Sequence, residues 1–132
     1  MKKSLTPAQE KALESPIRLR DEARAAASFE AWFMCNSWYD TKYDFERGRF
    51  ASFEDAVNDE FLFFAKRDGA GDVDGYIANR IAEAKEYYEE FRSGIVYGCM
   101  SSNTLRALER KGVIEILEDG GKYFDKFRII ES

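Results

Sequence analysis

Apolar residues recur along much of this chain at the three- and four-residue steps of one helical face. After Ser52, residues Phe53, Val57, Phe61 and Phe64 fall at steps of 4, 4 and 3, which predicts a helix capped by Ser52 with one buried stripe. Lys66-Arg67-Asp68-Gly69-Ala70-Gly71 ends it. Asp72 opens a second run, in which Val73, Ile77, Ile81, Ala84, Tyr88 and Phe91 follow at steps of 4, 4, 3, 4 and 3 until Ser93-Gly94. Nearer the start, Thr6-Pro7-Ala8-Gln9 sets a capping hydroxyl, a first-turn proline and a Gln three residues after the cap. That predicts a short helix from about Pro7 to Glu14. Ser15-Pro16 repeats the cap-then-proline device and predicts a separate, Ala-rich helix from Ile17 to about Trp38. From Trp38 to Phe50 no period is visible, and the segment reads as a helix end followed by a loop.

Beyond Ile95 the elements shorten and glycine punctuates them. Ile95 to Tyr97 fit a short strand. Ser101-Ser102 precede a helix from Asn103 to Lys111, and Gly112 sits where a left-handed C-terminal cap belongs. Val113 to Glu118 then read as a strand, Asp119-Gly120-Gly121 as a tight turn and Tyr123 to Ile130 as a second strand. At about 100° per residue, Asn103, Arg106 and Arg110 share one side of the short helix, and Leu105 and Leu108 point to the other.

Composition narrows the chemistry. The 132 residues include 11 Phe, 2 Trp and 7 Tyr, enough large rings to offset the entropy of folding one domain spanning residues 1–132. There is no histidine, which removes the commonest general base and metal ligand, and with them serine triads, Cys-His pairs and His-bearing zinc sites. Cys35 and Cys99 are the only cysteines, too few for a metal cage and suited to a reducing cytoplasm. Asp72 and Asp74 lack the bidentate Glu of a calcium loop. Gly69-Ala70-Gly71 lacks the Lys-Ser/Thr of a phosphate-binding loop, and Glu83-Ala84-Lys85 places a nuclease-like Glu-x-Lys on a helix, outside the strand that chemistry uses. The expectation is a non-enzymatic protein without cofactor or metal. Charged residues follow Lys2-Lys3 where a signal peptide is apolar, and apolar runs such as Phe61 to Ala65 are too short to span a membrane.

The stretch Ser101-Ser102-Asn103-Thr104-Leu105-Arg106-Ala107-Leu108-Glu109-Arg110-Lys111-Gly112-Val113-Ile114-Glu115 resembles the recognition helix and first wing strand of winged helix-turn-helix domains. Asp119 to Ile130 resembles the wing and its return strand. Leu5 to Leu13 is similar to the first helix of short winged-helix proteins of phage and mobile elements. Roughly 80 residues separate the two regions. The resemblance therefore implies a mainly α, winged-helix-like fold with a small β-hairpin wing, in which residues 1–14 form the first helix, 15–92 an aromatic-rich helical insertion, and 93–132 the recognition-type helix plus wing. Gly94 to Met100 is too short and glycine-flanked for the helix that normally precedes a recognition helix.

Charge separates two functional expectations. The net charge is −5, so any nucleic-acid face is local. Residues 92–128 hold 7 basic and 5 acidic side chains, whereas residues 1–91 hold 13 basic and 19 acidic. The first expectation is a cytoplasmic DNA-binding transcriptional regulator. Ser102, Asn103, Arg106 and Arg110 would contact double-stranded DNA, with Lys122, Lys126 and Arg128 on flanking phosphates. Such readers commonly pair, and the Val73 to Phe91 stripe is a candidate homodimer surface. The second is a phage-encoded inhibitor of a host defence nuclease, anti-CRISPR-like or a nucleic-acid mimic. It would bind a basic protein through Asp55, Asp59, Asp72, Asp74, Tyr39 and Tyr43. The bland alternatives are solvated helix faces for the charges and core packing for Phe29, Trp32, Phe33, Trp38, Tyr39, Tyr43, Phe45 and Phe50.

Overall fold

Thr6 and Gln9 close the capping box that their spacing predicts: the Thr6 hydroxyl accepts from the Gln9 N–H at 3.2 Å, and the Gln9 amide oxygen accepts from the Thr6 N–H at 3.0 Å. In the computed structural model of the chain, which describes residues 4–37, 39–120 and 124–131 and only the backbone of Tyr39, the helix that follows is α1, Pro7–Ala25. It does not stop at Glu14. Pro16 lies inside it and is fully buried. An internal proline removes one ladder hydrogen bond and costs about 3 kcal/mol in an exposed helix. Here the ring fills core space, which offsets that cost. The chain instead breaks at residues 26–28, where Ser28 caps the next helix.

The remaining elements among the described residues are α2 (Phe29–Cys35), α3 (Tyr39–Glu46), α4 (Phe53–Arg67), α5 (Val73–Ser93), β1 (Ile95–Gly98), α6 (Ser102–Arg110), β2 (Ile114–Glu118) and β3 (Asp125–Ile129). The segment read as helix end plus loop thus contains a helix of its own, α3. Its core-forming signal is hidden because polar and aromatic residues alternate without a helical period. Ser52 and Asp72 cap α4 and α5 as expected: the Ser52 hydroxyl accepts from the Asp55 N–H at 3.1 Å and the Asp72 carboxylate from the Gly75 N–H at 3.0 Å. Among the described residues no helix is long and apolar enough to cross a membrane.

The chain divides into two compact units, one of residues 1–25 and 89–132 and the other of residues 26–88. The interrupting segment therefore starts at Ala26, later than the residue 15 expected from Ser15-Pro16, because α1 carries on through the proline.

In the first unit the strands form one antiparallel sheet in the order β1-β3-β2. Val96 opposes Phe127, Ile114 opposes Ile129 and Ile116 opposes Phe127, with an irregularity between Ile116 and Glu118. Asp125, Phe127 and Ile129 are buried and alternate with half-buried Lys126 and Arg128, so one sheet face is core and the other carries charge. Leu13, Val96, Leu105, Leu108, Ile114 and Phe127 form that core. Gly98 is required by close approach: a Cβ there would lie 3.1 Å from Pro16 Cγ and 3.2 Å from Phe127 Cε1.

The second unit is held by rings. Phe29 packs on Trp32, Phe33, Phe53 and Tyr88 at centroid separations of 5.6–6.1 Å, and Phe33 packs edge-on to Phe53 and Phe61. Core use of Phe29, Trp32, Phe33 and Phe45 follows from these contacts; Trp38 and the Tyr39 side chain lie outside the described residues. Ile77, Tyr88 and Phe91 of the α5 stripe are buried within the chain. Val73, Ile81 and Ala84 of the same stripe are half-buried.

Candidate nucleic-acid interface

The local sequence builds α6 tightly. Its N-cap is Ser101, one residue earlier than a start at Asn103 implies; its hydroxyl accepts from the Thr104 N–H at 3.2 Å and donates to the Thr104 hydroxyl at 2.9 Å. At the other end Gly112 adopts φ +74 and its N–H donates to the Glu109 carbonyl at 2.9 Å, while the Val113 N–H reaches the Leu108 carbonyl. The left-handed turn is open to glycine at little cost and sends the chain into β2. Leu105 and Leu108 are fully buried, and Ser102, Asn103, Arg106 and Arg110 are exposed.

Two further contacts seat the helix. Lys111 Nζ donates to the Ser4 carbonyl at 2.9 Å and to the Gln9 amide oxygen at 2.7 Å, tying the end of α6 to the start of α1. Glu109 Oε2 accepts the Ile116 N–H at 3.0 Å, so α6 satisfies a donor on the outer edge of β2. Both tying residues are charged and neither stood out in the sequence. The signal that would have found Lys111 is its place directly before the capping Gly112, where a lysine reaches back past the helix end.

The cations expected on DNA are divided by this arrangement. Asn103, Arg106 and Arg110 share the outer side of α6, and Arg110 has no ion-pair partner among the described residues. Arg106 Nη2 lies 3.5 Å from Asp119 Oδ2. Lys126 and Arg128 project from the charged face of β3, away from the core side. Arg128 pairs with Glu115 directly across the strands at 3.1 Å, and Lys126 with Glu90 at 2.9 Å, near the Tyr97 ring. Its hydrogen bond to Glu90 holds the Lys126 ammonium above the usual lysine range. Lys122 lies outside the described residues. Three of the cations expected on DNA, Arg106, Lys126 and Arg128, thus have carboxylate partners of their own. The sequence contains both halves of these pairs, but only strand register sets Glu115 opposite Arg128.

Elsewhere in the first unit, Glu131 is gripped by Arg24 and Arg20, and Arg24 Nε also donates to the Arg92 carbonyl at 2.9 Å. The hydrogen bond from Arg24 holds the Glu131 carboxyl below the usual carboxylate range.

The acidic alternative set is distributed over α3, α4 and α5. Asp55 and Asp59 are exposed on α4, Asp72 is engaged as the cap of α5, and Asp74 is exposed in its first turn. Tyr43 is half-buried beneath the Arg47 guanidinium, 3.8 Å from its ring centre; the Tyr39 side chain lies outside the described residues. The same unit has a surface cleft of about 380 Å³ lined by Phe29, Glu30, Ser52, Phe53, Glu54, Ile81 and Lys85. Ser-Phe-Glu occurs at both 28–30 and 52–54, and both serines are helix caps. That shared tripeptide is the signal that could have marked Ser28 as a helix cap; the cleft itself has no signal in the sequence. Among the described residues no group of three or more acidic or thiol side chains is placed to hold a metal ion.

No family model matches the chain, and neither a characterised protein nor a solved structure matches it.

Proposed function

We propose that the unit of residues 1–25 and 89–132 binds double-stranded DNA without catalysis, in the manner of a winged-helix transcriptional regulator from a phage or mobile element. The observation that carries this reading is the two-sidedness of α6: Leu105 and Leu108 anchor it while Asn103, Arg106 and Arg110 stand exposed in one row. Asn and Arg are the side chains suited to base edges in a major groove. A sheet in the order β1-β3-β2, with α6 between β1 and β2, supports the winged-helix-like assignment. It departs from a helix-turn-helix in one respect: β1 leads into α6 through residues 99–101 with no helix between them. The free, exposed Cys35 and Cys99 suit a cytoplasmic setting.

The carboxylates paired with Arg106, Lys126 and Arg128 keep DNA affinity modest, because each of these contacts must displace an internal partner, and the phosphate contacts make it salt-dependent through counterion release. The more exposed pairs, Arg106–Asp119 and Arg128–Glu115, are worth at most about 1 kcal/mol each, so their exchange is feasible at low salt, whereas the half-buried Lys126–Glu90 pair is the hardest to open. The test is fluorescence anisotropy of labelled duplex DNA at low and physiological salt. Binding that weakens with salt and disappears in Arg106→Ala/Arg110→Ala is the expected result. Absence of binding at low salt, or binding unchanged in the double variant, refutes the assignment.

A second reading is favoured by how charge divides. Residues 26–88 hold 7 basic and 13 acidic side chains, whereas the first unit holds 13 basic and 12 acidic. The whole excess of negative charge therefore resides in the inserted helical unit. It would serve as the contact for a basic protein, such as a host defence nuclease, with Asp55, Asp59, Asp72, Asp74, Tyr39 and Tyr43 as the expected contact residues.

A further inference from the structure

The cleft between the two Ser-Phe-Glu helix starts has the chemistry of a cation receptor. Its apolar side is formed by Phe29, Phe53 and Ile81, with the two rings edge-on at 6.0 Å. Glu30 and Glu54 stand exposed on its rim, each in the first turn of its helix. Neither carboxylate is ion-paired among the described residues. One cation is already present: Lys85 Nζ lies 5.6 Å from the centre of the Phe29 ring, within the range of a cation–π contact. Among the lining side chains, two carboxylates thus face a single ammonium beside an aromatic face.

We propose that this cleft binds an arginine side chain of a basic partner protein, presented on an extended segment. A guanidinium stacks on a ring and is more weakly hydrated than an ammonium, so it suits an aromatic face rimmed by carboxylates better than lysine does. Lys85 then acts as a resident competitor that the incoming arginine displaces from Phe29. The cleft volume of about 380 Å³ is near the lower end of small-ligand sites, sufficient for one side chain and its backbone. The proposal rests on the reading of residues 26–88 as a protein-binding unit and names the partner's chemistry at one place on it. It is independent of DNA contact by α6.

The experiment is titration of the full chain with a fluorescein-labelled (Arg-Gly)4 peptide at physiological salt, with (Lys-Gly)4 and (Gln-Gly)4 for comparison. The expected order of affinity is arginine over lysine over glutamine. Glu30→Gln/Glu54→Gln should weaken arginine-peptide binding about five- to tenfold, and Lys85→Met should tighten it about two- to fivefold. Glu46→Gln/Glu86→Gln, which removes the same charge from exposed positions outside the cleft, should change it less than twofold. Circular dichroism of each variant verifies that the fold is retained. Equal loss in the two double variants, or no gain in Lys85→Met, overturns the cleft assignment. If binding then falls on reversing Asp55 and Asp59, the broader protein-binding reading survives without this cleft. Absence of arginine-peptide binding overturns the cleft proposal, and self-association of the chain that the Glu30/Glu54 variant abolishes assigns the cleft to a second copy instead.

Discussion

Replacing Gly98 by alanine tests the feature that organises the first unit, the passage of α1 through Pro16 onto β1. The backbone at Gly98 is not left-handed, so alanine meets no conformational strain there. The added methyl would sit 3.1 Å from Pro16 Cγ, 3.2 Å from Phe127 Cε1 and 3.4 Å from Phe127 Cζ. Neither neighbour can retreat readily: Pro16 is locked in a helix and Phe127 is the largest fully buried side chain. Overpacking of this kind costs about 1–3 kcal/mol, while the stiffer unfolded chain returns about 0.4–1 kcal/mol. A net loss of about 1.5 kcal/mol follows. Urea denaturation would register it as a midpoint lowered by about 0.5–1 M for a slope near 2 kcal/mol/M. In a Pro16→Ala background half the obstruction is gone, and the cost of Gly98→Ala should fall by about 1 kcal/mol, a measurable coupling. A Gly98→Ala protein as stable as the parent in both backgrounds would refute the packing of α1 on β1. That is also the outcome expected if the helix ended at Glu14 and Pro16 merely began another.

Two further outcomes concern charge. Asp119→Asn releases Arg106 and should raise affinity for duplex DNA about two- to fivefold at low salt in the anisotropy assay; reduced affinity would show that Asp119 orients Arg106 productively instead of sequestering it. The Glu131 carboxyl is held below its ordinary value of 4.5 by Arg24, so its contribution is present above that value and is lost as pH falls through its lowered pKa. Glu131→Gln should therefore have a lower urea midpoint than the parent at pH 7, and the two should converge as pH falls below the ordinary carboxylate range. A difference that persists unchanged at acid pH would contradict the ion-pair account.

Ser52 reads as a helix cap because an apolar stripe follows it with regular steps, and with Phe53 and Glu54 it forms the tripeptide Ser-Phe-Glu. The identical tripeptide at 28–30 was obscured by the alanine-rich run before it, which has high helix propensity and no visible end. Proline reads in the opposite direction: its local preference is to begin a helix, and only burial of its ring, close to Gly98, makes an internal position favourable. For the set proposed to contact DNA, the row Asn103, Arg106 and Arg110 is legible from helical geometry alone. The sequestering of Arg106, Lys126 and Arg128 was not, because their partners lie 13, 36 and 13 residues away along the chain, on neighbouring elements.

By itself, then, the sequence determined the local elements whose signals are contained within one helical turn or one hairpin: the Thr6–Gln9 box, the Ser52 and Asp72 caps, the two-sided α6 and the Gly112 turn into β2. These depend on hydrogen bonds and side-chain periods spanning three or four residues. Tertiary structure decided where α1 ends, which strand lies in the middle of the sheet, which cations already have counter-ions, and that two equivalent helix starts share one cleft. Each of those depends on burial and on charges brought together from distant positions, and the free energy of such contacts exists only once the intervening chain has folded.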